Sequence, residues 1–133
     1  MATKIFVNLP VTDLSKSMEF FKRLGYSFNP QFTDAKAACL IISDEIYAML
    51  LTKPFFKSFI KKEVVDARTS TEVLLALAVD SREEVDQQLN KALAAGGKVA
   101  RSEDYGYMYS RGFEDLDGHI WEIFWMDPDH IQK

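Results

Sequence analysis

Cysteine, histidine and clustered basic residues are scarce in this chain, and each scarcity closes a route. Cys39 is the only cysteine among 133 residues. No disulfide can therefore close within the chain, and a four-cysteine zinc site is excluded. The apolar neighbours Ala38, Leu40 and Ile41 mark Cys39 as a buried, inert thiol. The lysines and arginines are scattered, apart from Lys57, Lys61 and Lys62, and the formal net charge is −4. That distribution argues against a nucleic-acid footprint. No apolar run reaches the ~18 residues that a membrane span needs. The N-terminus lacks the long apolar region of a signal peptide, so a cytoplasmic location is expected. A glycine-rich phosphate loop, a nucleophile elbow and a hydrolase-like Ser/His/Asp order are all missing.

What is present is ordinary globular material, 47% hydrophobic and 27% charged, enough to fill the core of one domain spanning 1–133. Lys4 to Val11 alternates as a strand, with Phe6, Asn8 and Pro10 on one face. Asp13 is an N-cap for a helix carrying Leu14, Met18, Phe21 and Leu24, and Gly25 ends it. Strands follow at Tyr26 to Phe32 (broken by Pro30), Lys36 to Ile42 and Ile46 to Thr52. Lys53 to Ser70 reads as a linker with a helix-like piece, Phe55 to Lys62. Its Phe55, Phe56 and Phe59 pack on the domain edge, close over a pocket, or meet a partner. Thr71 to Val79 is an apolar strand. Ser81 and Glu84 form a capping box before a helix with Val85, Leu89, Ala92 and Leu93 inward. Lys98 to Asp104, Tyr107 to Glu114 and Ile120 to Trp125 complete the strands, and the last two flank an Asp117-Gly118 turn. The final residues are a polar tail.

The order strand, helix, three strands therefore occurs twice. The fold class read from it is α+β: two βαβββ modules forming a half-open barrel, or cup, of about eight strands with helices outside. Module one is 1–52, the linker 53–70, module two 71–127 and the tail 128–133. A concave sheet face of that kind is where small-molecule sites occur.

Two stretches make a family resemblance specific: FVNLPVTDLSKSMEFFKRLGY at the start and EDLDGHIWEIFW near the end. They resemble the vicinal oxygen chelate superfamily, which holds glyoxalase I, bleomycin-resistance proteins, fosfomycin-resistance enzymes and extradiol dioxygenases. The small bacterial glyoxalase-like proteins are most similar in character. The resemblance implies one divalent ion, with ligands from the first and fourth strands of each module. It places those ligands at Phe6, Met49, Leu74 and Glu122. Of these only Glu122 is a donor, because Phe, Met and Leu cannot replace imidazole or carboxylate for such an ion. No metal site and no cofactor are expected, and Glu122 is the one retained ligand position. The resemblance also implies a homodimer.

The residues expected to line the pocket are Phe6, Asn8, Tyr47, Met49, Leu74, Glu122 and Phe124, with Tyr109 and Arg111 from the preceding strand. For that strand Ser110 is the rival parity. Glu122 is a structural carboxylate paired with Arg111 or a tyrosine hydroxyl, or it is a ligand contact and the candidate catalytic base. His119 falls on the opposite face from Glu122 in a regular strand and reads as a turn residue. The function these residues imply is a glyoxalase/bleomycin-resistance-like protein binding a small, partly aromatic molecule without the usual metal. The alternative is a divergent metal-dependent lyase or isomerase, related to lactoylglutathione lyase or to the dioxygenases, with Glu122 as base. A third reading is a protein–protein role with the pocket filled by side chains.

Overall fold

The computed structural model describes residues 3–130. The last three positions of the polar tail lie outside the described residues, as do Met1 and Ala2. The chain divides into two compact units, 1–65 and 66–133, and each is one βαβββ module carrying its own four-stranded mixed sheet. The fold class is α+β, as the repeat implies.

In the first unit, β1 (Ile5–Val11) leads into α1 (Leu14–Arg23), then β2 (Ser27–Asn29), β3 (Ala37–Ile41) and β4 (Ile46–Thr52). The sheet order is β1-β4-β3-β2, with β1 parallel to β4 and the other pairs antiparallel. A parallel pair needs a long crossover, and α1 begins it. Asp13 caps that helix, its Oδ1 accepting the Lys16 N–H at 3.0 Å. The apolar stripe of α1 (Leu14, Phe20, Phe21) and Leu24 is buried over the sheet face formed by Leu9, Val11, Ala38, Leu40, Ala48 and Leu50. Burying one such side chain contributes roughly 1.5–3 kcal/mol. The segment read as a strand broken by Pro30 is broken there, with the strand stopping at Asn29. The Asn29 side chain accepts the Gln31 N–H, and Pro30–Phe32 turns as a 3₁₀ helix because Pro30 cannot extend the ladder.

The linker helix differs from expectation. It is α2 (Lys53–Lys57), two residues earlier and shorter than read. Pro54 suits its first turn, where no N–H is required, and Ser58 ends it by donating to the Phe55 carbonyl at 2.5 Å.

In the second unit, β5 (Leu74–Ala78), α3 (Arg82–Ala94), β6 (Lys98–Asp104), β7 (Met108–Glu114) and β8 (Ile120–Met126) repeat the pattern. The sheet order is β5-β8-β7-β6, with β5 parallel to β8. Ser81 Oγ accepts the Glu84 N–H at 3.2 Å, while the Glu84 carboxylate reaches back to the Asp80 N–H at 3.5 Å. Val85, Leu89 and Ala92 are buried with Phe113, Trp121 and Ile123.

The β7–β8 turn is anchored from inside. Asp115 Oδ1 accepts the N–H groups of Asp117 and His119, and Oδ2 accepts the Trp121 indole N–H at 3.0 Å. Burial pushes the Asp115 carboxyl above its ordinary value, against the pull of these donors. Gly118 takes φ +90°, and a Cβ there would meet the Ala67 carbonyl oxygen at 2.7 Å. Gly25 has a similar φ of +100° but open space around it. Gly25→Ala should therefore cost about 1 kcal/mol, the left-handed penalty alone. Gly118→Ala should cost about 2–4 kcal/mol, since the chain at Ala67 must also move. Urea unfolding of the two variants checks this, and equal losses would show that the 66–68 segment does not brace the turn.

Candidate functional site

Side chains alternate across a strand, so the register decides which expected residues share a face. In the first unit, Phe6 pairs with Tyr47 and Asn8 with Met49, all on the face turned away from α1. Cys39 is beside Met49 on that face and is buried, which pushes its thiol above the ordinary value. Phe6 and Tyr47 stack at 4.6 Å with an interplanar angle of 10°. Lys4 Nζ stands 5.8 Å from the centre of the Tyr47 ring. The Tyr47 hydroxyl is not turned to a pocket; it donates to the Asp44 carbonyl at 2.8 Å.

A cleft of about 600 Å³ opens on the same unit, lined by Asn8, Leu51, Phe56, Phe59 and Ile60. Its volume is in the range of drug-sized ligand sites. Leu51 is buried, Phe56 and Ile60 are half-buried, and Phe59 is 66% exposed. Of the residues expected to line a pocket, only Asn8 lines this cleft. Phe56 and Phe59 had been read in the linker as an apolar side without a location. Leu51 and Ile60 were missed, although Leu51 has the same parity as Met49. A shallower hollow of about 430 Å³ lies at Lys36, Thr52, Pro54, Phe55 and Ser58.

In the second unit, Leu74 pairs with Ile120, Ala76 with Glu122 and Ala78 with Phe124, so Leu74, Glu122 and Phe124 share the face away from α3. Gly112 lies across from Glu122 on β7, and Ser110 across from Phe124. Ser110 is thus the residue of the right parity. Tyr109 and Arg111 correct the expectation, because both lie on the α3 face. The Tyr109 hydroxyl donates to Asp86 Oδ1 at 2.6 Å, and Arg111 Nη1 donates to the same oxygen at 3.0 Å. Neither can be the partner of Glu122. Among the described residues no hydrogen bond or ion pair engages the half-buried Glu122 carboxylate.

The α3 face carries the polar network of this unit. The Tyr109 hydroxyl, with Arg111, holds Asp86 below the ordinary carboxylate range, and the same bond raises the Tyr109 phenol. Arg82 donates to both oxygens of Asp104, at 2.8 and 3.1 Å, and lies over the rings of Tyr109 and Trp125. His119 is buried rather than a bare turn residue, with Nδ1 2.8 Å from Glu72 Oε1. The sequence offers no local signal for that pair, since Glu72 is 47 residues away.

The ion implied by the superfamily does not fit these residues. Its positions carry Phe6, Met49, Leu74 and Glu122, and among the described residues no three His, Cys, Asp or Glu side chains gather closely enough to hold a metal.

A family model described as bleomycin resistance protein-like N-terminal matches residues 3–43. No curated protein matches the chain. A hypothetical protein from S. aureus, known as a solved structure, is 33% identical, with 93% of this chain and 94% of its own covered at a TM-score of 0.78. A glyoxalase/bleomycin resistance protein/dioxygenase family enzyme from Burkholderia phytofirmans is 17% identical, with 94% and 99% covered at 0.77. An antibiotic binding protein from Streptomyces sp. CB03234 is 14% identical, with 95% and 97% covered at 0.67. The last two share the fold. With the paired modules in place, the chain shares the fold of the glyoxalase/bleomycin resistance protein/dioxygenase structures, and its residues 3–43 match the bleomycin resistance protein-like N-terminal model.

The Arg82–Asp104 pair gives this unit a pH signature. The Arg82 bond, helped by the Gly106 N–H, lowers the Asp104 carboxyl from 3.8 to about 2. A depressed carboxyl contributes stability that is present above its unfolded value and is lost as pH falls through the folded one. Asp104→Asn should lower the melting temperature at pH 5, and the gap to the unaltered protein should close between about pH 4 and pH 2. A gap that stays constant across that range would show that Asp104 gains nothing from Arg82.

Proposed function

We propose that this chain is a binding protein that captures a small, partly aromatic molecule in the cleft of its first module without a metal ion. The observation that carries the reading is the cleft itself. Among the described residues, four of the five lining side chains are apolar and Asn8 is the polar one, the usual composition of a ligand pocket. The donor set adds support, since a superfamily member with Phe6, Met49 and Leu74 at three ligand positions recognises its ligand by other means. A structure of the same fold described as an antibiotic binding protein is in keeping with capture rather than turnover. The metal-dependent alternative, with Glu122 as base, lacks companions for that carboxylate. A cleft of about 600 Å³ also leaves room that a pocket filled by side chains would not.

The test is a thermal-shift panel of neutral aromatic compounds against divalent Mn, Ni and Zn. Aromatic compounds should raise the melting temperature, and the metals should give no shift beyond that of Glu122→Gln. Phe59→Ala should weaken the best binder about three- to tenfold, the scale of one lost aromatic contact. Because Phe59 is exposed, its melting temperature should change little. Metal-specific stabilisation abolished by Glu122→Gln, with no aromatic binder, would replace this reading by the enzyme alternative.

We infer further that two copies associate. Strands β1 and β5 are edge strands of their sheets. They or their neighbour expose Ile5 at 54%, Phe6 at 47%, Ile46 at 38% and Leu74 at 58%. Apolar side chains along open edges are a liability that a partner removes. Light scattering on the eluting protein should report the mass of two chains, and Phe6→Lys should shift it toward one. A single-chain mass at high micromolar concentration would rule the association out.

A further inference from the structure

The cleft also defines which aromatic molecules suit it, an inference that rests on the binding role proposed above. Asn8 Nδ2 donates to the Phe6 carbonyl oxygen at 3.3 Å. A carbonyl only accepts, so this bond fixes which end of the amide is nitrogen. The Oδ1 atom is left as an acceptor. Among the described residues no other polar side chain lines the cleft, the rest of its lining being Leu51, Phe56, Phe59 and Ile60. The Tyr47 hydroxyl donates to the Asp44 carbonyl and the Ser58 hydroxyl to the Phe55 carbonyl.

We propose that the cleft selects neutral, flat aromatic molecules carrying one hydrogen-bond donor, a phenol, amide N–H or ring N–H, directed at Asn8 Oδ1. Two phenyl rings and two branched aliphatic side chains accept a flat ring over their faces and edges. An anion finds no charged partner among the lining residues, and removing its hydration shell here is uncompensated. Carboxylates and phosphonates are therefore disfavoured. A ligand of the right shape without a donor leaves Oδ1 unpaired, which costs affinity rather than shape fit.

The probes are 2-naphthol, its methyl ether 2-methoxynaphthalene, and 2-naphthoate, titrated by calorimetry into the full chain. The naphthol should bind about three- to tenfold more tightly than the ether, the range of one neutral hydrogen bond, and the naphthoate should be weakest. Asn8→Leu should bring the naphthol down to the level of the ether and leave the ether within twofold. Asn8→Asp, which keeps an acceptor on this side chain but loses the bond to the Phe6 carbonyl, should preserve the preference for naphthol over ether. Equal affinity for naphthol and ether, or a gap that survives in Asn8→Leu, overturns the donor rule while leaving capture in the cleft intact. Naphthoate as the tightest probe overturns the neutrality rule. Failure of all three probes, with no effect of Phe59→Ala on any other binder, removes the capture reading and this inference with it.

Discussion

The parallel pairing of the first strand of each module with its last is the constraint on which the rest depends. Two parallel neighbours cannot be joined by a tight turn, so the chain must leave the sheet and return. It leaves through α1 in one unit and α3 in the other, and each helix covers one face of its sheet. Every residue of β1 and β4 is thereby sorted by parity. Leu9, Val11, Ala48 and Leu50 go under α1 and are buried, while Phe6, Asn8, Tyr47 and Met49 go to the other side. A slip of one residue would exchange the two sets and expose the core. The placement of candidate ligand contacts is in this sense a by-product of burying leucines.

The features set by local chemistry were legible in the sequence. The Asp13 and Ser81 caps, the alternation of β1 and the turn at Gly118 each depend on residues a few positions apart. The Glu122 face was legible too, because β8 has strong apolar residues on both sides and one carboxylate to mark parity. Strand β7 carries no such mark. Tyr109, Ser110, Arg111 and Gly112 offer polar or small residues at both parities, so periodicity cannot choose. The choice is made by Asp86, which lies 23 and 25 residues earlier on α3 and draws Tyr109 and Arg111 to that side. Burial of His119 was hidden in the same way, since its partner Glu72 is remote in the chain. The cleft was half legible: three phenylalanines after Pro54 announce an apolar surface, but not that α2 begins early enough to bring Phe56 and Phe59 beside Asn8.

Polar groups in the second unit divide between the two faces of its sheet. On the α3 face, Asp86, Arg111, Tyr109, Arg82 and Asp104 satisfy one another through bonds of 2.6–3.1 Å. Such pairs near the surface contribute little to stability each, but they fix the orientation of β6 and β7 against α3. On the opposite face Glu122 has no partner among the described residues, and its strand neighbours Ala76 and Gly112 are small. A half-buried carboxylate beside small side chains keeps access to water, so it need not find a cation to be tolerated.

That tolerance explains how Glu122 can stand on this face without a set of companion donors. In the superfamily pattern a carboxylate is one quarter of a metal site, and its worth comes from the other three donors. Here Phe6, at the corresponding position of the first module, is part of a stacked aromatic pair with Tyr47, 4.6 Å apart. Met49 has put a thioether beside Asn8. They leave this face apolar, and among the described residues lining the cleft the amide of Asn8 is the polar side chain. Recognition through one acceptor and several ring faces is tolerant of ligand shape and strict about charge.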